Sequence, residues 1–174
     1  MKIISKPEPG EYAPYAIIYI GLLPDDGLIF KHLEENLRAT TEFLRALPEN
    51  KLTYRYAEGK WTIKEILAHH IDDERIYAYR ALRFARNDQT ELPGFEQDAY
   101  TPESGANERT LDDLLDEFAA VRRSTVALFN SFNDRVLTRT GVASGNRMSV
   151  RAIVYHIAGH ELHHLNVIKE RYLD

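Results

Sequence analysis

Apolar residues recur every three or four positions through four long stretches of this chain, and that period constrains the fold more than any other feature of the sequence. The first stretch, from Gly27 to Leu47, carries Phe30, Leu33, Leu37, Leu44 and Leu47 on one helical face. The second opens at Thr62, whose hydroxyl is placed to cap a new helix while Glu65 reaches back, with Trp61 just outside and Ile66 inside. Its stripe of Ile63, Ile66, Tyr77 and Phe84 continues to about Asn87. The third begins at Thr110, with Asp112 and Asp113 in the first turn, and runs through Leu111, Leu114, Phe118, Val121, Leu128 and Phe132 to near Asn133. The fourth follows Ser149 and reaches Tyr172, with Val150, Ile153, Ile157, Leu165 and Ile168 as its inward stripe. Alternating strand patterns joined by hairpin turns are not found, so the expected class is all-α and the architecture a four-helix bundle.

The connections bear on topology, because a tight loop forces neighbouring helices to run antiparallel whereas a long one can return the chain to the same end. Residues 88–109 make a long connection, interrupted by Pro93-Gly94 and Pro102-Glu103-Ser104-Gly105. A segment of that length is uncommon in a compact domain unless it is functional or disordered, which makes it a candidate cover for a site. The 174 residues suit one domain, 1–174. The longest uncharged apolar run, Ala13 to Leu23, falls short of the roughly 18 residues a membrane helix needs, and is expected to pack over the core.

A net charge of −5 argues against nucleic acid as the partner. The local exception is Arg75, Arg80, Arg83 and Arg86, which fall toward the end of the second helix, where exposed carbonyls favour cations; an anionic ligand is the alternative reading. Pro7, Glu8, Pro9 and Glu11 stand where a secretory leader would need its apolar stretch, so a cytoplasmic location is expected, with no membrane partner. The chain has no cysteine, which fits that compartment and removes every thiolate ligand and thiol nucleophile.

Six of the seven histidines occupy two short windows, His69-His70 in the second helix and His156, His160, His163 and His164 in the fourth. His160 and His164, four apart, project from one face with a rise of about 6 Å between them, so their imidazoles can share one metal ion at about 2.0–2.1 Å per nitrogen. His156 and His163 fall further round, toward the polar side, and His32 stands alone on the first helix. A third ligand must come from the second helix, from His69 or His70. On a helical wheel His70 lies near the centre of the Ile63, Ile66 and Tyr77 stripe, and His69 about 100° away near Asp73 and Ile76, a mild preference for His70. His160-Glu161-Leu162-His163-His164 also matches the H-E-x-x-H pattern of zinc proteases, but their third ligand lies downstream and no histidine follows His164. The match is read as coincidental, with Glu161 left as a group that orients a ligand or polarises water. Asp73, one turn after His69, is a candidate partner for a metal-bound imidazole or a base; the alternative is an exposed aspartate beside Tyr77 and Arg80.

Three stretches together resemble the DinB/YfiT family of bacterial bundle proteins: Gly59 through His69, Asp72 through Asn87 with Leu92-Pro93-Gly94-Phe95, and Tyr155 through His164. The resemblance implies an up-down-down-up bundle, commonly a homodimer, with zinc or nickel held by three histidines. Matched motif to motif, the ligand of the second helix falls on His69, giving His69, His160 and His164, while His70 stands where the family is usually apolar. Three protein nitrogens leave a coordination position open, the arrangement of catalytic zinc sites. The family likeness includes metal-dependent thiol transferases, so the expected function is a metal-dependent hydrolase or thiol transferase acting on a small molecule, the thiol being a low-molecular-weight cosubstrate. The alternative is a non-catalytic metal-binding or stress-related module.

Overall fold

The computed structural model describes residues 2–173, so the outermost residue at each end of the expected 1–174 domain lies outside the described part. Four long helices dominate it: α1 (Ile29–Arg45), α2 (Ile63–Ala85), α3 (Leu111–Asn130) and α4 (Val150–Arg171). Three of them start where the sequence reading places a beginning, with a cap expected at Thr62 and found also at Thr110 and Ser149. Thr62, Thr110 and Ser149 each accept a hydrogen bond, at 3.1 Å, from the amide three residues on. Thr62 and Glu65 form the reciprocal capping box, the Glu65 carboxylate accepting from the Thr62 amide at 2.7 Å.

Side-chain contacts fix the helix directions. Lys64 reaches the Arg109 carbonyl, His70 faces Phe118 and Glu74 meets Arg122, so α2 and α3 run parallel. Trp61 meets Tyr172 while Tyr77 stacks on His156, so α2 and α4 are antiparallel. Asn36 donates to the Ala158 carbonyl and Thr40 to Glu161, which makes α1 and α4 parallel. The course is therefore up-down-down-up, and the long connection between α2 and α3 is what returns the chain to the same end.

Two apolar clusters fill the bundle. One gathers Phe30, Leu33, Tyr77, Phe84, Phe129, Ile153 and Tyr155; the other gathers Leu44, Ile63, Leu67, Leu114, Phe118, Ile168 and Tyr172. On each helix polar residues are buried between the two clusters: Asn36 and Thr40, His69, His70, Asp73 and Glu74, Arg122 and Thr125, His160 and Glu161. The core is thus divided by one polar layer, and the histidines belong to it.

The sequence reading missed a small hairpin, strands β1 (Thr140–Ala143) and β2 (Asn146–Ser149), paired antiparallel. Ser144 and Gly145 both have positive φ, 52° and 71°, the two-residue turn whose twist matches paired strands. Strands of four residues are too short for a period to stand out. Gly141 of β1 lies flat on Phe84, where a Cβ would come within 2.1 Å of the ring. Leu92 pairs with this hairpin through its amide and carbonyl, both at 3.0 Å, tying down the long connection. That connection carries a short helix, Gln97–Glu103. The Ala13–Leu23 run behaves as expected on one face: Ala13, Ala16, Ile20 and Leu23 are buried, with the short helix Ile17–Ile20 packed along α4. Among the described residues no helix is long and apolar enough to cross a membrane.

Candidate metal centre

His69 of α2 and His160 and His164 of α4 meet in the polar layer. The Nε2 atoms of His69 and His164 each lie 3.1 Å from Nε2 of His160. The spacing follows from the folding: His160 and His164 share a face one turn apart, and the antiparallel α2 brings His69 opposite both. A ring nitrogen offers either one proton or one lone pair, so three facing imidazoles cannot all satisfy one another. A cation that accepts three lone pairs removes the conflict, and nitrogens at 2.0–2.1 Å from a tetrahedral zinc stand about 3.3 Å apart, close to the spacing here. The residues present therefore fit a divalent metal. Burial away from water holds His69 down to about 4 and His164 to about 3, and pushes His160 well below the ordinary histidine range, so the rings are neutral and their lone pairs available at neutral pH.

His70, the wheel's choice, is buried beside the trio but its nitrogens are not among those that converge. Its ring centroid lies 5.2 Å from that of His164, 5.5 Å from that of His160 and 6.0 Å from that of Phe118 on α3, and neither ring nitrogen has a hydrogen-bond partner among the described residues. Asp73 places Oδ2 3.5 Å from Nδ1 of His160 and 3.8 Å from Nε2 of His156. It is not the exposed aspartate of the alternative reading, and burial pushes its carboxyl up to about 8. Glu161 faces away from the trio: its carboxylate accepts from Thr40 at 2.7 Å and from Arg122 at 2.9 Å.

His156 departs from expectation. It is 2 % exposed, stacked on Tyr77 with ring centroids 4.0 Å apart and holding burial-depressed basicity near 3. The polar side of α4 turns out to be covered by the N-terminal helix, whose Tyr19 meets His156, His160 and His163 edge-on at 5.0–5.3 Å. Close approach is possible because Gly159 has no side chain; a Cβ there would lie 2.2 Å from the Tyr19 carbonyl oxygen. His163 stays half-buried and His32 pairs with Asp26 at 2.9 Å, away from the centre.

Sequence reasoning also passed over three neighbours of the trio. Trp61, read there only as a helix-start residue, packs its ring 4.9 Å from His69 and 6.4 Å from His164. Tyr19 sat in an apolar run with no period to mark it. Arg122 donates to Glu74 at 2.8–3.1 Å, to Glu161 and to the Leu33 carbonyl at 2.7 Å, joining all four helices beneath the histidines. Its signal was present: Arg122 lies four residues beyond Phe118, on that residue's inward face.

Two cavities reach the centre. One, of about 530 Å³, runs from Arg55, Lys60 and Tyr172 past Trp61 to His164. The other, of about 300 Å³, is walled by Tyr19, Tyr77 and Phe95, holds Arg80 and Ser144, and reaches Asp73, His156 and His160. Asp98, on the short helix of the long connection, lines both, so that connection does cover the site.

Comparison with known proteins agrees with this architecture. The profile of the DinB superfamily matches residues 32–168. A protein of Oceanobacillus iheyensis, named as an inferred metal-dependent hydrolase, is 29 % identical over 141 residues, covering 80 % of each chain. Among solved structures, YfiT from Bacillus subtilis, described as a probable metal-dependent hydrolase with an unusual four-helix bundle topology, superposes with a TM-score of 0.75 at 15 % identity, over 85 % of this chain and 87 % of that one. YjoA, a DinB-like protein from Bacillus subtilis, gives a TM-score of 0.58 at 18 % identity over 82 % and 87 %.

Proposed function

Since this chain belongs to the DinB superfamily, we propose that it is a metal-dependent hydrolase of a small molecule, with zinc or nickel held by His69, His160 and His164. The observation that carries the reading is the convergence of three neutral imidazole nitrogens, two from buried rings and one from the half-buried His164, beside two solvent-reached cavities. When bound there, the metal supplies a Lewis acid that polarises a carbonyl and acidifies water or a thiol. The chain's own groups do the rest. Asp73 opposite Nδ1 of His160 keeps the proton on that nitrogen and the lone pair of Nε2 aimed at the trio. Trp61 and Tyr19 wall the rings off from bulk water and fix their tilt. Arg122, by holding Glu74 and Glu161, sets the rotation of α4 that presents His160 and His164 together.

One observation favours a second reading, transfer to or from a low-molecular-weight thiol. Two separate cavities meet the trio, one at His164 and one at His160, and a two-substrate transfer uses both. Self-association as a homodimer is part of the proposal, supported by the exposed Ile17, Ile18 and Leu22 beside the site, and light scattering on the purified protein tests it.

The experiment is elemental analysis of untagged protein with turnover on esters, amides and thiol acceptors, repeated on His69→Ala, His70→Ala and His164→Ala. One equivalent of metal in wild type and His70→Ala, with loss in the other two, is expected. Metal retained in His69→Ala and lost in His70→Ala overturns the ligand set; a fully metallated protein inert on every substrate favours a binding module instead.

A further inference from the structure

Arg80 is only 7 % exposed, and its surroundings contrast with those of the other buried guanidinium in the bundle. Arg122 is met by two carboxylates; Arg80 is met by none within 4.0 Å among the described residues. Its hydrogen bonds leave from Nη2 alone, to the Ser144 hydroxyl at 3.2 Å and toward the Pro93 carbonyl at 3.4 Å, so Nε and Nη1 are without a partner. The plane is held by aromatic faces, Tyr77 at 4.8 Å and Phe95 at 5.8 Å. A buried charge is normally paired, because desolvating it alone is costly. Here the charge is fixed in position with two of its nitrogens free, and Arg80 lines the 300 Å³ cavity that also reaches His160.

We infer that this cavity is the substrate chamber and that Arg80 anchors a carboxylate of the substrate at its far end, across the aromatic walls from the histidine trio. Nε and Nη1 lie on opposite edges of the guanidinium, so a carboxylate meets one free N–H there and accepts a charge-assisted hydrogen bond from it, which an uncharged amide answers more weakly. Seven residues separate Asp73 from Arg80 on α2, roughly 10 Å along the helix axis, so the anchored group and the reacting group stand at opposite ends of a small molecule. Tyr19, Tyr77 and Phe95 supply an apolar middle. Of the three carboxyl groups in the lining, Glu96 and Asp98 stand exposed at the mouth, where water and salt screen them, and Asp73 lies at the His160 end; Arg80 is the one cation of the chamber's described lining. The other three arginines of the same helix end are otherwise engaged: Arg75 with Glu117, Arg83 with Asp88, and Arg86 over Phe132. As a substrate class the assignment rests on the proposed hydrolase; the binding does not.

The test is ligand-observed NMR with 3-phenylpropionate, its uncharged amide and phenylphosphonate on full-length protein, metal-free and zinc-loaded. Wild type is expected to bind the carboxylate at least about tenfold more tightly than the amide in both forms, the discrimination of a charge-assisted pair. Arg80→Gln abolishes that ratio while zinc content and the circular dichroism spectrum stay as in wild type, and Arg80→Lys restores it in part. His69→Ala, deprived of metal, keeps the ratio, so loss of the metal reading and loss of this one give different results. Equal binding of carboxylate and amide by wild type, no binding at millimolar concentration, an undiminished ratio in Arg80→Gln, or preference for the phosphonate overturns the assignment. If Arg80→Gln fails to fold, the wild-type comparison decides.

Discussion

Replacing Arg122 by methionine keeps the length and helix propensity of the side chain and removes its charge. Five hydrogen-bond contacts go with it: three to Glu74, one to Glu161 and one to the Leu33 carbonyl. Arg122 is 3 % exposed and both carboxylates 2 %, so water cannot take its place. Breaking a buried pair by removing one partner costs about 3–5 kcal/mol, chiefly the penalty of the charge left behind. Two carboxylates are stranded here, which places the loss near the upper end, about 5 kcal/mol and comparable to the whole stability of many domains. In a chain of this length that is a fall of roughly 10–20 °C in melting temperature. Urea denaturation followed by circular dichroism measures it, and Arg122→Met combined with Glu74→Met and Glu161→Leu should recover more than half, since the charges needing a partner are gone. The pH dependence has a definite sign. Burial already pushes Glu161 up against the pull of Arg122, and without the arginine the Thr40 hydrogen bond is the opposing contact left at the carboxylate. A carboxyl whose folded-state value is raised binds its proton more tightly when folded, so the deficit of the single variant is smallest in acid and grows as pH rises through the raised value. A loss under about 1 kcal/mol would refute the claim that this network sets the register of the four helices.

Two further outcomes follow from local geometry. Gly159→Ala sets a Cβ 2.2 Å from the Tyr19 carbonyl oxygen and 2.5 Å from its carbon, rigid backbone atoms that must retreat; despite the roughly 1 kcal/mol alanine gains in a helix, a net loss of about 1–3 kcal/mol and faster amide exchange across residues 14–20 are expected. Hydrogen bonding from Arg151 holds Glu11 down to about 2, so its stabilisation is fully present above the unfolded value near 4.5 and is lost as pH falls from there toward 2; Glu11→Gln should flatten the acid limb of the stability curve over that window and leave the curve shape above it unchanged.

Several parts of this fold are local and were readable as such. The caps at Thr62, Thr110 and Ser149 depend on residues three apart, and the side-by-side projection of His160 and His164 on residues four apart, distances the helix itself fixes. The long connection announced a parallel pair of helices because no shorter chain returns to the same end. Other parts were legible only in hindsight. From Ala152 to His160 every residue of α4 is buried, and the sequence there is apolar, aromatic or histidine throughout, the mark of a helix covered on all sides; that pattern would have moved His156 indoors.

The choice between His69 and His70 could not be made from one helix. A wheel places the centre of the apolar stripe between all the neighbours a helix has, and α2 has two that matter here, α3 and α4: His70 lies between them, 6.0 Å from Phe118 and 5.2 Å from His164, while His69 brings a nitrogen to 3.1 Å from His160. The sequence by itself determined the helices, the cap at Thr62, the paired histidines of α4 and the expectation of a third, upstream histidine beside them. Only the packed bundle decided which ring completes the trio, that Glu161 serves Arg122 and Thr40 instead of the centre, and that Arg80 lines a cavity without a carboxylate pair, because each of these depends on which surface of a neighbouring helix lies opposite, and periodicity within one segment does not encode its partner.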